Sequence, residues 1–447
     1  MTARPDTIAA IATASGRGGI GVVRVSGPLV PVVAQALLGC DPVPRRAQLA
    51  RFRDANGAIL DEGIVLRFPA PHSYTGEDVL ELQGHGGPVV LRQVLQSCVA
   101  AGARHAEPGE FTRRAFLNDR LDLAQAEGVA DLIDAASAEA ARGAARSLVG
   151  EFSSRITALV ERLTELRLHV EACIDFPEEE IDPADRAWQR RRGEELVAEL
   201  AAILEEARQG AVLRDGLTVV LAGAPNVGKS SLLNRLAGEE VAIVTPIPGT
   251  TRDHVRAMLV LEGVPIHLID TAGLRDTGDE VERIGIDRAW DAISKAGAVM
   301  HVVDAMRPGA ADDSTLEARF PVGVPRVRVI NKIDLAATPA GREDRGDEAS
   351  IRLSALTGDG VAALRGWLLD VAGWRPQGEG VFLARERHLV ALGEASDALA
   401  RAVGQAQPIE LLAEELKIAQ QALGRITGGL TPDELLGQIF SRFCIGK

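Results

Sequence analysis

The chain has few of the features that mark secreted proteins and zinc proteins. Its four cysteines, Cys40, Cys98, Cys173 and Cys444, are scattered, and no two of them form a C-x-x-C pair. Neither a disulfide framework nor a cysteine zinc site is indicated. The eight histidines show no metal-ligand spacing. The reducing cytoplasm is therefore the expected compartment.

Long apolar runs and positive charge are also lacking. No stretch approaches the roughly 18 apolar residues of a membrane span, and the N-terminal TIAAIATAS is too rich in Ala and Thr for a signal sequence. The net charge of −14 argues against nucleic-acid binding by overall attraction to phosphate. Any RNA contact must be local. The small basic clusters available are Arg113-Arg114 with Arg120 and Arg190-Arg191-Arg192, and such clusters are more often solvated helix faces.

The chain is long enough for about three domains. Residues 1–118 combine short strand patterns with one apolar helix pattern and predict an α/β domain. Residues 119–211 and 376–447 are helical in pattern, whereas residues 212–375 again alternate strands and helices. We therefore expect a discontinuous helical domain that carries an inserted α/β domain. One buried helix stripe is predicted from apolar residues that recur every three or four positions: Leu148, Phe152, Ile156, Leu159, Leu163, Leu166 and Val170.

The segment Leu217–Ser231, LTVVLAGAPNVGKSS, is a β-branched apolar run that ends in G-x-x-x-x-G-K-S. Gly223 and Gly228 allow the backbone N–H groups to face a polyphosphate, together with the N-terminus of the following helix. Lys229 is placed against the β and γ phosphates, and the Ser230 hydroxyl is placed to bind Mg²⁺. The alternative is a glycine-rich strand-to-helix turn that binds nothing. Later motifs argue against it.

Two of these motifs supply further parts of a nucleotide site. Gly249-Thr250-Thr251 is typical of a switch segment, with Thr251 the expected second Mg²⁺ ligand. Asp270-Thr271-Ala272-Gly273 follows the apolar run VPIHLI and provides a Walker B carboxylate, with Gly273 free to approach the γ-phosphate. Both motifs come after strand-like runs, which favours one shared site.

A third motif predicts that the base is guanine. Asn331-Lys332-Ile333-Asp334 follows VRVI, and Asp334 can accept hydrogen bonds from N1–H and the N2 amino group of guanine. Adenine would leave this carboxylate, which we expect to be buried, without a partner, a difference of roughly 10⁴-fold or more. Ser354-Ala355-Leu356, after SIRL, is expected to be a further guanine loop. The candidate GTP-binding residues are Asn226, Val227, Gly228, Lys229, Ser230, Ser231, Thr245, Pro246, Ile247, Pro248, Gly249, Thr250, Thr251, Asp270, Thr271, Ala272, Gly273, Asn331, Lys332, Asp334, Ser354 and Ala355.

Two parts of an ordinary signalling GTPase are missing. Leu274 follows DTAG, where Ras-like proteins place a glutamine that orients water. No arginine finger is identifiable, although such a finger is worth about 10³ to 10⁵ in rate. Glu280 and Glu282 are candidates for positioning the water; the alternative is two solvated acids at a helix start. A replacement cation or a dimerising partner is expected.

Two glycine-rich motifs lie near the N-terminus. Gly16–Gly21 matches G-x-G-x-x-G, but the alternating strand VVRV follows it where a dinucleotide fingerprint must open a helix. We interpret it as a β-hairpin turn. Gly84-His85-Gly86-Gly87 is expected to be a strand-to-helix turn, and its imidazole is a candidate for lining a ligand pocket.

Over essentially its whole length the chain resembles the MnmE (TrmE) family of tRNA modification GTPases. The segments that carry the resemblance are GRGGIG with Arg24, YTGEDVLELQGHGG, GEFTRRAFLNDRLDLAQAE, GAPNVGKSSLLN, TPIPGTTRD, DTAGLR with DEVERIG, and the terminal CIGK. The resemblance implies a multidomain α/β fold: a folate-binding-like N-terminal domain (1–118), a discontinuous helical domain (119–211 and 376–447) and an inserted Ras-like P-loop G domain (212–375).

The resemblance also implies an activity and partners. The family works with an FAD-containing partner, MnmG (GidA), as a heterotetramer, and builds a carboxymethylaminomethyl group on C5 of the wobble uridine of certain tRNAs. Its N-terminal domain binds a tetrahydrofolate derivative, 5-formyl- or 5,10-methylene-tetrahydrofolate. The matching positions are Arg24, Glu81, Arg120 and Lys447. The family often has Lys at the position of Arg120, so charge is retained while geometry can differ.

A potassium-dependent homodimer of G domains is implied as well. Asn226, Thr245, Ile247 and Thr250 match the potassium positions, with Ile247 contributing its backbone carbonyl. Potassium then replaces the arginine finger, and Glu282 takes over the positioning of water. Glu282 and Lys229 are thus the expected catalytic residues for GTP.

Two alternatives stay open on the sequence alone. The first is that the chain is a GTP-switched assembly factor that acts on ribosomal RNA. The second concerns Cys444 in CIGK: prenylation is disfavoured because Gly446 is not aliphatic. An inert packed thiol and a catalytic thiolate beside Lys447, adding to C6 of uridine, both remain.

Overall fold

The computed structural model describes residues 6–175, 183–238, 255–270, 297–307, 320, 323–345, 348–375, 381–404, 408–429, 433–441 and 443–446. The chain divides into two compact units. Unit 1 contains Met1–Ala130, Leu148–His169 and Leu416–Lys447. Unit 2 contains Asp131–Ser147 and Val170–Glu415.

Unit 1 is built on a six-stranded sheet with the order β3-β4-β5-β2-β1-β6. The strands are β1 (Ile8–Ile11), β2 (Gly18–Ser26), β3 (Gln48–Arg53), β4 (Ile59–Phe68), β5 (Val79–Gly86) and β6 (Arg104–His105). Helices α1 (Val30–Leu38) and α2 (Pro88–Ala100) share a core with Val23, Val25, Leu80 and Leu82 of this sheet. Because strand side chains alternate, the residues between these apolar positions lie on the other face.

Most residues of the two glycine-rich motifs of unit 1, Gly16–Gly21 and Gly84–Gly87, lie in strands β2 and β5. Strands β1 and β2 pair antiparallel, so the hairpin interpretation of Gly16–Gly21 is confirmed in kind, although Gly18–Gly21 belong to β2 itself. The sequence placed the strand-to-helix turn at Gly84–Gly87, and this position was wrong for all but the last residue. Strand β5 runs to Gly86, and Gly87 is the N-cap of α2, so His85 is a strand residue.

Unit 2 contains a seven-stranded sheet with the order β12-β13-β11-β10-β7-β9-β8. The strands are β7 (Leu217–Ala222), β8 (Val255–Leu261), β9 (Val264–Asp270), β10 (Ala298–Asp304), β11 (Arg326–Asn331), β12 (Gly341–Arg345) and β13 (Glu348–Arg352). The central five strands are parallel, and β12 and β8 are antiparallel edges. The carboxyl ends of the parallel strands therefore meet at one edge, where ligands of such sheets bind.

The remaining helices of the described residues are α3 (Glu110–Leu117), α4 (Leu123–Asp134), α5 (Ala138–Leu148), α6 (Glu151–Asp175), α7 (Pro183–Asp215), α8 (Lys229–Ala237), α9 (Ile333–Ala336), α10 (Val361–Ala372), α11 (Glu386–Gly404), α12 (Ile409–Thr427) and α13 (Asp433–Ser441). None of them is long and apolar enough to cross a membrane. The predicted helix stripe is buried from Phe152 to Val170 on α6. Leu148 belongs to α5 instead, because Gly150 with φ +90° interrupts the helix.

The C-terminal helices return to earlier ones within each unit. In unit 2, α11 packs along α7, and a Cβ on Gly193 would lie 2.6 Å from the Val403 side chain. In unit 1, Gln420 of α12 donates a hydrogen bond to Thr164 of α6 at 2.8 Å. The seven-stranded sheet thus lies in sequence between helices that contact one another, as expected for an inserted domain.

Candidate functional site

The loop after β7 has the geometry of a phosphate-binding loop. Gly223 and Gly228 have φ of +146° and +99°, and Asn226 has φ +64°. A Cβ on Gly223 would lie 2.2 Å from the carbonyl oxygen of Val302, so only glycine fits there. Helix α8 begins at Lys229, and no side chain caps its N-terminus. The N–H groups of the loop and of the first helical turn are therefore available for an anion.

Lys229 lies back over its own loop. Its Nζ donates to the carbonyl oxygens of Gly223 and Ala224 at 2.7 and 3.1 Å. These contacts hold the ammonium group above the loop that the phosphates would enter. The placement agrees with the role predicted for this lysine as a point charge beside the β and γ phosphates.

Asn331 joins two loops of the site. Its Nδ2 donates to the carbonyl oxygen of Val227 at 2.8 Å, and its Oδ1 accepts from the N–H of Ala355 at 3.0 Å. A Cβ on Gly228 would lie 2.2 Å from Nδ2 of Asn331. The amide side chain at the end of β11 therefore fixes the phosphate loop against the loop predicted to contact guanine.

Lys332 connects the same edge to β10. Its Nζ donates to the carbonyl oxygen of Asn226 at 2.8 Å and to Oδ2 of Asp304 at 2.6 Å. Burial opposes ionisation of Asp304, but hydrogen bonds from Lys332 and the Met306 amide outweigh it, and the pKa of Asp304 lies below its usual value. This ion pair holds the lysine stem across the pocket edge where a base would stack.

Asp334, the carboxylate predicted to recognise guanine, is paired with Ser354. Ser354 Oγ donates to Oδ1 of Asp334 at 2.6 Å, which leaves Oδ2 for a base edge. Asp334 is exposed, contrary to the buried position expected from the sequence, because it lies on the short helix α9 at the surface end of β11. Arg235 of α8 donates to the carbonyl oxygens of Ala355 and Leu356 and so ties the phosphate helix to the guanine loop.

Two of the residues expected around Mg²⁺, Ser230 and Asp270, belong to the described part of the chain. Ser230 is in the first turn of α8, and Asp270 ends β9, whose backbone pairs with Leu221 just before the phosphate loop. A hydroxyl and a strand end at the same edge fit a magnesium ion with phosphate oxygens. Several predicted residues lie outside the described ones: Thr245, Pro246, Ile247, Pro248, Gly249, Thr250, Thr251, Thr271, Ala272, Gly273, Leu274, Glu280, Glu282 and Lys447.

Unit 1 brings together two of the residues assigned to a folate site. Arg24 of β2 and Glu81 of β5 are cross-strand partners, and Nε of Arg24 donates to Oε1 of Glu81 at 3.0 Å. The guanidinium also lies 5.4 Å from the ring centroid of Tyr74 and 5.7 Å from that of Phe111. The cation is thereby held rigidly, with its charge balanced by one carboxylate. Arg120, the third such residue, is exposed after α3.

The ring of Phe111 is held by a network of charges around α3. Arg114 donates to Asp6, Glu77 and Glu110, and Arg104 donates to Asp6 and Glu110. Burial opposes ionisation of Glu110, but bonds from Arg104, the Glu107 amide and Arg114 outweigh it, so the pKa of Glu110 lies below its usual value. Arg–carboxylate pairs of this kind fix the register of α3.

Known proteins match this chain in sequence over nearly its full length. A family model described as the MnmE helical domain matches residues 123–444, and one described as the GTP-binding protein TrmE N-terminus matches residues 7–120. The tRNA modification GTPase MnmE of Burkholderia cenocepacia (strain HI2424) is 58% identical over 99% of each chain. The protein of the same name from Azoarcus sp. (strain BH72) is 58% identical over 99% of this chain and 98% of the relative.

The chain belongs to the MnmE family of tRNA modification GTPases. It is an enzyme, a GTP hydrolase, with a TrmE-type N-terminal domain, an MnmE helical domain and a Ras-like G domain. Among solved structures, the G domain of the FeoB iron transporter of T. maritima is 28% identical and covers 35% of this chain and 98% of that chain, with a TM-score of 0.27.

In this MnmE-family chain Cys444, Ile445 and Gly446 pack against other segments of unit 1. The carbonyl oxygen of Cys444 accepts a hydrogen bond from the N–H of Gly109 at 3.3 Å, and Ile445 forms a β-bridge with Pro108. Gly446, with φ +96°, lies so close to Ile11 that a Cβ would be 2.3 Å from its carbonyl oxygen. The thiol of Cys444 is exposed, so it is not the packed thiol that one interpretation of the sequence allowed.

Reasoning from the sequence missed several residues of these sites. Asp304 and Arg235 contact the nucleotide loops, and Tyr74 and Phe111 hold Arg24. An acid at the end of the apolar run AVMHVV was a usable signal for Asp304, because it repeats the pattern of Asp270. No comparable signal exists for the aromatic pair, since the contacts join distant segments.

Proposed function

We propose that the chain is a potassium-dependent GTPase that acts, with an FAD-containing partner of the MnmG (GidA) type, on the wobble uridine of certain tRNAs in the cytoplasm. The product carries a carboxymethylaminomethyl group on C5, and a tetrahydrofolate derivative supplies a one-carbon unit. The GTPase half rests on the sheet edge at which the phosphate loop, Asn331, Lys332 and Asp334 meet. The one-carbon half rests on the Arg24–Glu81 pair between two aromatic rings.

In this proposal the chain's own groups do most of the work on GTP. The loop N–H groups and Lys229 hold the phosphates, and Ser230 with Thr251 would hold Mg²⁺, which neutralises charge on the phosphate oxygens when bound. Free Oδ2 of Asp334 accepts from the guanine edge while Ser354 satisfies Oδ1. The geometry favours guanine because guanine presents two donors to this carboxylate, whereas adenine presents the acceptor N1 at the same edge.

The missing glutamine and arginine finger are replaced in this proposal. Glu282 orients the attacking water, and a potassium ion near Asn226, Thr245, Ile247 and Thr250 supplies the positive charge. Asn226 has φ +64° and sits at the tip of the phosphate loop, where its side chain can reach a neighbouring ligand. Two G domains of a homodimer would meet across this edge and exclude water from the ion.

The ion dependence tests this proposal directly. GTP turnover is expected to be much faster in KCl than in NaCl at equal ionic strength, because potassium takes the place of the arginine finger in this proposal. Glu282→Ala should lower turnover in KCl and leave the affinity for a GTP analogue near wild type. Glu280→Ala is the matched control and should keep wild-type turnover. Equal rates in both salts would rule out the potassium assignment.

The uridine chemistry needs a group that makes C5 nucleophilic. A thiolate that adds to C6 of the base does this, and C5 then attacks the one-carbon unit as the bond from that carbon to the folate nitrogen breaks. Water removes the C5 proton, and the electron pair of the C5–H bond re-forms the C5–C6 double bond while the thiolate leaves with the C6–S pair. Cys444 is exposed, and Lys447 follows it three residues later in the sequence. The redox step belongs to the FAD partner in the proposed heterotetramer.

Mass spectrometry of wobble uridines separates this function from its alternative. tRNA from a strain without the gene should lack the modified uridine, and Cys444→Ser should fail to restore it while keeping wild-type GTPase activity. Cys40→Ser, which removes the other exposed thiol, should restore it. Normal modified uridine in the strain without the gene would instead favour a GTP-switched assembly factor acting on ribosomal RNA.

A further inference from the structure

A histidine and an aspartate on neighbouring strands of unit 1 form a pair that the proposed function does not use. Nδ1 of His85 lies 2.8 Å from Oδ1 of Asp61, and the backbone N–H of His85 donates to Oδ2 of the same residue at 2.7 Å. The imidazole side chain is 76% exposed, whereas the carboxylate side chain is 9% exposed. A nearly buried carboxylate thus holds an imidazole whose far edge faces solvent.

The charge of Asp61 decides which imidazole nitrogen carries hydrogen. Burial opposes its ionisation, but the hydrogen bonds from the side chain and backbone of His85 and from the Glu62 amide outweigh it, and the pKa of Asp61 lies below its usual value. An ionised carboxylate can only accept hydrogen bonds, so Nδ1 is the donor. In the neutral ring the lone pair is then on Nε2, the nitrogen farther from Asp61.

Glycines make room for this pair. A Cβ on Gly84 would lie 2.2 Å from Oδ2 of Asp61, and any side chain there would displace the carboxylate. A Cβ on Gly63 would lie 2.1 Å from the carbonyl oxygen of Gln83, so β4 can approach β5 this closely only without a side chain. Gly84 is therefore required by the geometry of the dyad.

His85 continues the row of polar side chains that holds Arg24, while the carboxylate of Asp61 approaches it from the Gly84 side of β5. Glu81, Gln83 and His85 occupy alternate positions of β5, on the face opposite the buried Leu80 and Leu82. Nε2 of Gln83 donates to Oε2 of Glu81 at 3.2 Å, which confirms that neighbours in the row touch. The distance from Glu81 to His85 along the strand is about 13 Å. That length suits an extended ligand such as a reduced folate.

We propose that His85, oriented by Asp61, exchanges a proton with a nitrogen of a reduced folate bound along this row. The inference rests on the proposed folate site. In the step, the ligand N–H bond breaks and its electron pair stays on the ligand nitrogen, while Nε2 of His85 gains the hydrogen. The exposed ring then passes the proton to water, and the reverse sequence returns it. Asp61 is a positioning residue, since it acts only through the imidazole.

Few other charges face the imidazole. Strand β4 contributes Asp61 and Glu62, and the latter is paired with Arg51 at 2.7 Å. Strand β2 places Gly18 opposite Gly86, with the exposed Ile20 beside it. The first turn of α2 carries no acidic residue. Asp61 is therefore the group that sets the tautomer of His85.

Proton release on ligand binding tests the proposal without any turnover. The full-length chain is titrated with 5-formyl-tetrahydrofolate by calorimetry in two buffers of different ionisation enthalpy. Nε2 of His85 must carry no hydrogen to accept a hydrogen bond from the ligand, so binding expels any proton that the ring holds there. Wild type should therefore release protons on binding in acidic buffer. His85→Asn should bind with an affinity close to wild type and release none.

The variants separate the dyad from the folate site itself. Wobble-uridine modification with the partner should fall by about 10²-fold or more in His85→Asn. Asp61→Asn should also slow it while ligand affinity is kept, and ¹⁵N-histidine spectra should show that His85 no longer has hydrogen on Nδ1 alone. Arg51→Gln, which breaks an exposed ion pair on the same sheet, is the matched control and should match wild type in every measurement.

Two results would overturn the inference or its basis. Wild-type proton release and modification in His85→Asn, with binding abolished in Arg24→Ala, would show that His85 is a structural residue of an otherwise correct folate site. Wild-type folate affinity in Arg24→Ala and Glu81→Ala would remove the folate site itself.

Discussion

Single residues carry much of the nucleotide site. Asn331 is 2% exposed, and its one amide satisfies a carbonyl oxygen of the phosphate loop and an N–H of the guanine loop. A shorter side chain would leave both buried groups without a partner. Asp334, by contrast, is exposed and has one oxygen engaged by Ser354. The first residue is a structural requirement of the site, and the second is available for a ligand.

At Asp334 we predict a change of base preference. Asp334→Asn should weaken GTP binding by roughly 10²-fold or more and favour xanthosine triphosphate, because the amide replaces an acceptor by a donor at the base edge. Affinities for fluorescent analogues of both nucleotides measure this. Ser354→Ala, which removes the partner of Asp334 but no base contact, should weaken both nucleotides alike. Unchanged GTP affinity in Asp334→Asn would contradict the recognition argument.

The element that matters most for phosphate binding is the start of α8. Gly228 has φ +99°, and its missing side chain leaves room for the amide of Asn331. Gly366, inside α10, has no atom within 4 Å of the position a Cβ would take. The same substitution at these two glycines therefore has opposite consequences.

We expect Gly228→Ala to destabilise the chain and to abolish nucleotide binding. Strain at positive φ costs about 1–2 kcal/mol, and the contact with Asn331 adds to it. Gly366→Ala should raise stability by about 0.5–1 kcal/mol, because alanine loses less entropy in a helix. Urea unfolding and GDP binding report both effects. A Gly228→Ala protein that binds GDP normally would show that the loop tolerates a side chain.

At the scale of the whole molecule the chromophores divide between the two units. The single tyrosine, Tyr74, belongs to unit 1, whereas Trp188, Trp367 and Trp374 belong to unit 2, and Trp290 lies outside the described residues. Burial raises the pKa of Tyr74, so its absorption should change on unfolding. Tyrosine absorption and tryptophan fluorescence therefore follow the two units separately.

This division gives a prediction for acid unfolding. In the folded state the pKa values of Asp6 and Glu110 lie below their usual values, since bonds from Arg104 and Arg114 outweigh burial. The stability that they contribute is present above about pH 4, near the pKa of unfolded carboxyls, and is lost as the pH falls through the lower folded values.

Glu110→Gln should therefore make the urea midpoint of unit 1, followed by Tyr74 absorption, depend less on pH in the acid range. The tryptophan signal should change little, because Glu110 is in unit 1 and tryptophan fluorescence reports the unfolding of unit 2. Urea midpoints measured from pH 6 down to pH 3 supply both curves. Equal flattening of both signals would show that the two units unfold together.

Thiol accessibility differs along the chain in a way that the sequence did not indicate. Burial raises the pKa of Cys98 to about 12, whereas Cys40 and Cys444 are exposed. The scattered spacing excluded a disulfide framework, but spacing alone could not rank the thiols. Their environments arise from the packing of α2 on the sheet and of the C-terminal segment on Gly109.

The amino-acid sequence by itself determined the nucleotide half of this protein. Its motifs are short contiguous segments, and the parallel strands β7, β9, β11 and β13 bring those that follow them to one edge. The α/β and helical patterns were readable for the same reason: periodicity is local. Among the described residues, the expectations differed for Leu148, which Gly150 cuts from its stripe, for the strand positions of Gly18–Gly21 and His85, and for the exposure of Asp334.

Tertiary structure alone decided which distant residues touch. Arg24 meets Glu81 through strand register, His85 meets Asp61, and Phe111 reaches Arg24 only because two arginines hold α3 in place. Strand pairing and side-chain packing bring together segments tens of residues apart, and no local pattern encodes the partner. The polar row of unit 1 is therefore a product of the fold, whereas the phosphate loop is already complete in the sequence.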